Sequence, residues 1–76
     1  MFSRITATPG ILRGKPCVKG TRISVEFLLE LVASGATRDD ILRAYPHLTA
    51  EDLEEAFRYA ARFLENDVLI SAEVGP

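Results

Sequence analysis

Seventy-six residues, a formal net charge of −2, one cysteine and one histidine exclude several kinds of protein at once. The lone Cys17 rules out an internal disulfide and a cysteine-rich metal site, and the lone His47 removes the usual zinc ligand set. A chain this short buries only about 60% of the surface its unfolded form exposes, so its core supplies roughly 3–5 kcal/mol and self-association is the expected reinforcement.

Met1-Phe2-Ser3-Arg4 leads into alternation and not into a signal peptide's long apolar run. No stretch approaches the ~20 apolar residues of a membrane span, and a single free thiol suits a reducing compartment. The expectation is a soluble cytoplasmic protein with no membrane association, one domain over residues 1–76. The net charge conceals an asymmetry. Residues 1–22 carry Arg4, Arg13, Lys15, Lys19 and Arg22 with no acidic residue, a balance of +5. Residues 23–76 carry four basic residues against eleven acidic ones, a balance of −7. Such polarity points to an electrostatic partner or to self-complementary packing.

In chain order, Ile5-Thr6-Ala7-Thr8 reads as a short strand stopped by Pro9-Gly10. Ile11-Leu12 begins a second extended piece, broken by Gly14. Pro16 places Cys17-Val18 at an edge or turn. Lys19-Gly20-Thr21 is a turn, and Thr21-Arg22-Ile23 resumes an extended path. Residues 1–23 therefore form a basic β-hairpin region that needs something to lie against.

Residues 24–66 read as three helices. Ser24 caps the first, which is apolar nearly all round apart from the Glu26 and Glu30 stripe and should be central; Gly35 ends it. Thr37 caps the second, with Asp40 in the position of a capping box, Ile41, Leu42 and Tyr45 on its buried face, and Pro46 as its stop. Thr49 and Asp52 repeat the device for the third. Its apolar positions Leu53, Ala56, Phe57, Ala60, Phe63 and Leu64 keep the helical period. That helix should end near Asn66, with Val68-Leu69-Ile70 as a short strand inside a tail over 67–76. The fold class is thus mainly α: a short N-terminal β-hairpin followed by a three-helix, helix-turn-helix-like bundle.

Candidate chemistry is sparse. Gly10 to Lys15 invites comparison with a phosphate-binding loop. Only three residues separate its glycines, however, and Pro16 offers neither hydroxyl nor N–H. Cys17 could be a nucleophile made acidic by Lys15 and Lys19, but His47 in a distant turn is the only candidate base, and a small buried or edge cysteine is the simpler reading. The adjacent carboxylates Asp39-Asp40 and Glu54-Glu55 point about 100° apart on a helix and converge on nothing. No catalytic residue, metal site or cofactor is expected. Nucleic-acid binding is the serious candidate, with a constraint. The exposed start of helix three offers Glu51, Glu54, Glu55 and Arg58, and three carboxylates there repel phosphates. The contacts should then come from Arg13, Lys15, Lys19 and Arg22 in the hairpin.

The run Gly14-Lys15-Pro16-Cys17-Val18-Lys19-Gly20-Thr21-Arg22-Ile23, followed by Leu28-Leu29, Gly35, Ile41-Leu42, Tyr45-Pro46, Leu48-Thr49 and Asp52-Leu53, resembles the family known as domain of unknown function 433. The resemblance covers roughly residues 5 to 65, and Gly14, Lys15, Pro16, Gly20, Thr21 and Arg22 carry its signature. Members are grouped with helix-turn-helix domains, and some resemble VapB-type antitoxins, which neutralise a PIN-like ribonuclease toxin and repress their own operon. The resemblance implies an antitoxin-like binding protein, a homodimer or higher homo-oligomer, with a PIN-like toxin and operator DNA as partners. Two features depart from that pattern: the acidic start of helix three, and the short stretch, residues 67–76, available to wrap a toxin. The alternative is a protein-interaction or dimerisation module with no DNA binding, its basic hairpin docked on the acidic helices of a second copy.

Overall fold

The computed structural model describes residues 2–63. Strand β1 is Ile5–Thr6 and strand β2 is Cys17–Val18, paired antiparallel with Ile5 opposite Val18 and Thr6 opposite Cys17. Helices α1, α2 and α3 follow at Val25–Ala33, Arg38–Ala44 and Ala50–Phe63. The molecule is mainly helical, with a small two-stranded sheet at its N-terminal end. Among the described residues no helix is long and apolar enough to cross a membrane.

Each helix begins where its cap chemistry dictates. The Ser24 hydroxyl accepts from the Phe27 N–H at 2.9 Å. Thr37 and Asp40 exchange the reciprocal bonds of a capping box, as do Thr49 and Asp52. Helix α1 ends in a Schellman arrangement: Gly35, at φ +103°, donates to Val32 O, and Ala36 donates back to Leu31 O.

The core forms where α1 lies against α3 and both meet the sheet. Ile5 and Val18 from the strands join Val25, Leu28 and Leu29 of α1, Ile41 of α2, Leu48, and Leu53, Ala56 and Ala60 of α3. The alanines allow close helix approach, and Leu28, Leu53 and Val25 are fully enclosed. Burying a leucine in this way contributes about 2 kcal/mol.

Four local expectations change. The first strand stops at Thr6, because Thr8 already turns to bond Ile11. Ile11-Leu12 does not run on as an extended piece: Leu12–Gly14 is a tight turn in which Leu12, Arg13 and Gly14 all have positive φ. Helix α1 is fully buried only along Val25, Leu28 and Leu29, while Leu31 and Val32 are half-buried, since nothing described covers its far side. Phe63, expected on the buried stripe of α3, is 59% exposed because the core ends one turn earlier at Ala60. The expected helix end near Asn66, Leu64, the strand at 68–70 and the tail over 67–76 lie outside the described residues.

Candidate functional site

The signature segment is a frame of turns carrying exposed cations. Gly14 N–H donates to Ile11 O at 2.9 Å and Lys15 N–H to Leu12 O at 3.1 Å, closing the left-handed turn with Arg13 at its apex. Positive φ costs a non-glycine residue about 1 kcal/mol or more, so Leu12 and Arg13 hold this shape against their own preference, and Gly14, at φ +83°, relieves the third position. Pro16 O accepts the Val25 N–H at 2.9 Å, which fixes the loop to the first turn of α1. Gly20, at φ +80°, makes the next turn, in which Val18 O accepts both the backbone and the hydroxyl of Thr21. The Thr21 oxygen in turn accepts the Ile23 N–H at 3.0 Å. Glycine and threonine in the signature therefore serve geometry.

Lys15 and Arg22 of the signature line a cleft together with Arg13, which precedes it. Arg13, Lys15 and Arg22 stand around an open depression of about 440 Å³ whose other walls are Leu12, Ser24 and Phe27. Leu12 is one of the large hydrophobic residues left exposed. The cleft lies against the first turn of α1, where the helix dipole adds positive potential. Lys15 Nζ is 2.8 Å from Glu26 Oε1, and both side chains are more than half exposed. The Glu26 hydrogen bond and charge hold the Lys15 pKa above its ordinary value. Among the described residues Arg13, Arg22 and Lys19 form no ion pair. Lys19 is exposed at the tip of the Gly20 turn and does not line the cleft, so three of the four expected cations converge and one stands apart.

Cys17 is buried, 2% exposed, and its thiol donates to Lys15 O at 3.2 Å. Burial pushes the thiol pKa up, the reverse of what a nucleophile needs. The His47 ring packs edge-on to Tyr45, and no hydrogen bond among the described residues links it to Cys17. Among the described residues no three histidine, cysteine or acidic side chains are placed to hold a metal ion.

Sequence reasoning missed the partner of Arg4. Its guanidinium lies 3.1 Å from Asp52 Oδ1, and its backbone N–H donates to the Glu55 carboxylate. Burial alone would raise the Asp52 pKa, but bonds from the Thr49 backbone and hydroxyl and from Arg4 outweigh it and hold the carboxyl below its usual range. The acidic start of α3 is thus partly answered by the hairpin of the same chain. The one sequence cue was an acid-free segment containing Arg4, which does not specify a partner 48 residues away.

A basic two-stranded hairpin fused to three capped helices makes a small, mainly helical fold that sets a cationic cleft beside the start of α1. Residues 5–60 match the family described as Protein of unknown function (DUF433), and the chain belongs to that family. It is 41% identical over 56 residues to the uncharacterized protein y4eO of Sinorhizobium fredii, a match covering 74% of this chain and 25% of that protein. The chain therefore spans about a quarter of that relative's length. The crystal structure of a DUF433 member from Anabaena variabilis, at 2.00 Å, superposes with a TM-score of 0.69 and 38% identity, covering 93% of this chain and 67% of that one.

Proposed function

We propose that this protein is an antitoxin-like binding module, not an enzyme, whose basic hairpin contacts the phosphates of operator DNA and whose protein partner is a PIN-like ribonuclease. The observation that carries the reading is the convergence of Arg13, Lys15 and Arg22 on one open cleft beside a helix N-terminus. Arginine suits phosphate because its planar fork donates in pairs. The partial neutralisation of the α3 carboxylates by Arg4 supports it further, since it weakens the repulsion a duplex would meet. In this reading the hairpin docks on DNA and α3 does not, because Glu51 and Glu54 remain exposed there.

Titration of a labelled duplex carrying the upstream region of the gene, at 50 to 200 mM salt, tests this. Affinity should fall steeply with salt, and Arg13→Ala/Arg22→Ala should lower the logarithmic slope by about two per protomer. Absence of duplex binding at the lowest salt would remove DNA from the proposal. A second reading, a protein-docking module without DNA binding, is favoured by the apolar wall of Leu12 and Phe27 and by the Lys15–Glu26 pair. Arginine beside aromatic and aliphatic surface is the composition of protein interface centres. Under that reading the same double variant loses the ribonuclease complex while duplex binding is absent throughout.

A further inference from the structure

The outward stripe of α3, exposed at Glu51, Arg58 and Arg62 and half-buried at Glu55, is complementary to itself. Glu51, Glu55, Arg58 and Arg62 follow one another at intervals of four, three and four, so they form a single row along the helix on the side away from Leu53, Ala56 and Ala60. The row is acidic in its first half and basic in its second. Two such helices laid antiparallel about a two-fold axis between Ala56 and Phe57 bring Glu51 opposite Arg62 and Glu55 opposite Arg58, each twice. No other register of the antiparallel pair matches all four charges, and a parallel pair sets like against like.

A groove runs beside this row. It has a volume of about 500 Å³ and is lined by Phe2, Glu55, Arg58, Arg62 and Phe63. Phe2 packs edge-on against both Tyr59 and Phe63, leaving an aromatic wall along the charged row. Among the described residues Glu51 and Arg62 have no ion pair, and Arg58 has only a long one, 3.9 Å, to Glu54 on its own helix. Glu55 accepts the Arg4 backbone N–H, and a carboxylate has further acceptor sites for an arginine.

We infer that the α3 stripe of Glu51, Glu55, Arg58 and Arg62, with the Phe2–Phe63 groove beside it, is a docking surface for a second copy of this chain, joined antiparallel about a two-fold axis. The contact is isologous and closes at a dimer. The row spans about 16 Å of helix at 1.5 Å per residue, so the four ion pairs sit on a short patch with the aromatic walls outside it. The surface is separate from the cationic cleft and does not depend on DNA binding.

Charge swaps test the pairing and its register together. Sedimentation equilibrium of the full chain at low salt should show a dimer that weakens as salt rises. Arg62→Glu, or Glu51→Arg, turns two symmetry-related attractions into repulsions and should raise the dimer dissociation constant about tenfold or more. The double variant Glu51→Arg/Arg62→Glu restores opposite charges at both contacts and should recover the dimer. Both residues are exposed and outside the Arg4 contacts, and circular dichroism of each variant verifies the fold. A monomer at millimolar concentration and low salt overturns the inference. So does a dimer indifferent to the single swaps, which places the interface elsewhere, or a double variant that stays as weak as the singles, which refutes the antiparallel register.

Discussion

Replacing Asp52 by alanine removes two supports at once. Its carboxylate accepts the Thr49 N–H at 3.0 Å, one arm of the box that caps α3, and lies 3.1 Å from the Arg4 guanidinium. Loss of the capping arm costs about 1 kcal/mol. The charged hydrogen bond adds about another 1 kcal/mol, discounted because the Arg4 side chain is 45% exposed and partly screened. A total near 2 kcal/mol is about half of the stability available to a chain of this size. The melting temperature should fall by roughly 8–16 °C. Urea unfolding of the parent, Asp52→Ala, Arg4→Ala and the double variant gives the Arg4–Asp52 coupling directly, expected at about 1 kcal/mol. Acid titration supplies an independent check. The folded Asp52 pKa lies below its unfolded value, so this stability is fully present above the unfolded value near 3.9 and is lost as pH falls through the folded one. The stability gap between parent and Asp52→Asn should therefore close on acidification below about pH 4. A loss under about 0.5 kcal/mol for Asp52→Ala, which is the range of an ordinary surface change, would show that the clasp holds nothing together.

Three further outcomes follow from the same contacts. Ser24→Ala deletes the cap of α1 and should cost about 1 kcal/mol in urea unfolding, whereas Ser24→Asp should keep most of it. Gly20→Ala meets no atom within 4 Å but forces alanine to φ +80°, so a loss of about 1 kcal/mol is expected, and a neutral result would mean that the turn can change type. Cys17 should resist a thiol reagent in the native state and react at once in urea, because its sulfur is enclosed and its pKa raised; rapid native labelling would contradict the buried placement.

What was legible in the sequence was punctuation. Ser24, Thr37, Thr49, Gly35 and Pro46 mark helix ends through local hydrogen bonding and dihedral limits, which need no tertiary knowledge, and the helices begin where those residues place them. The periodicity of Leu53, Ala56 and Ala60 identified the inner face of α3 for the same reason. The left-handed turn at Leu12–Gly14 was not legible, because leucine and arginine do not favour positive φ and adopt it only when Gly14 and the Pro16–Val25 bond close the loop around them. At the site, residue type located Arg13, Lys15 and Arg22 but could not separate them from Lys19; that depends on which side of the Gly20 turn each falls. Leu12 and Phe27 gave no signal either, since an isolated hydrophobic residue reads as core until its exposure is known.

The bond from Val25 N–H to Pro16 O has a mechanical corollary. Ser24 and Phe27 belong both to the wall of the cleft and to the opening turn of α1, the helix whose Val25 and Leu28 are wholly enclosed in the core. A guest seated among Arg13, Lys15 and Arg22 therefore leans on the same amides that begin that helix. Occupancy should register as slower hydrogen exchange at Val25 and Phe27, giving a readout of binding that needs no knowledge of what the guest is.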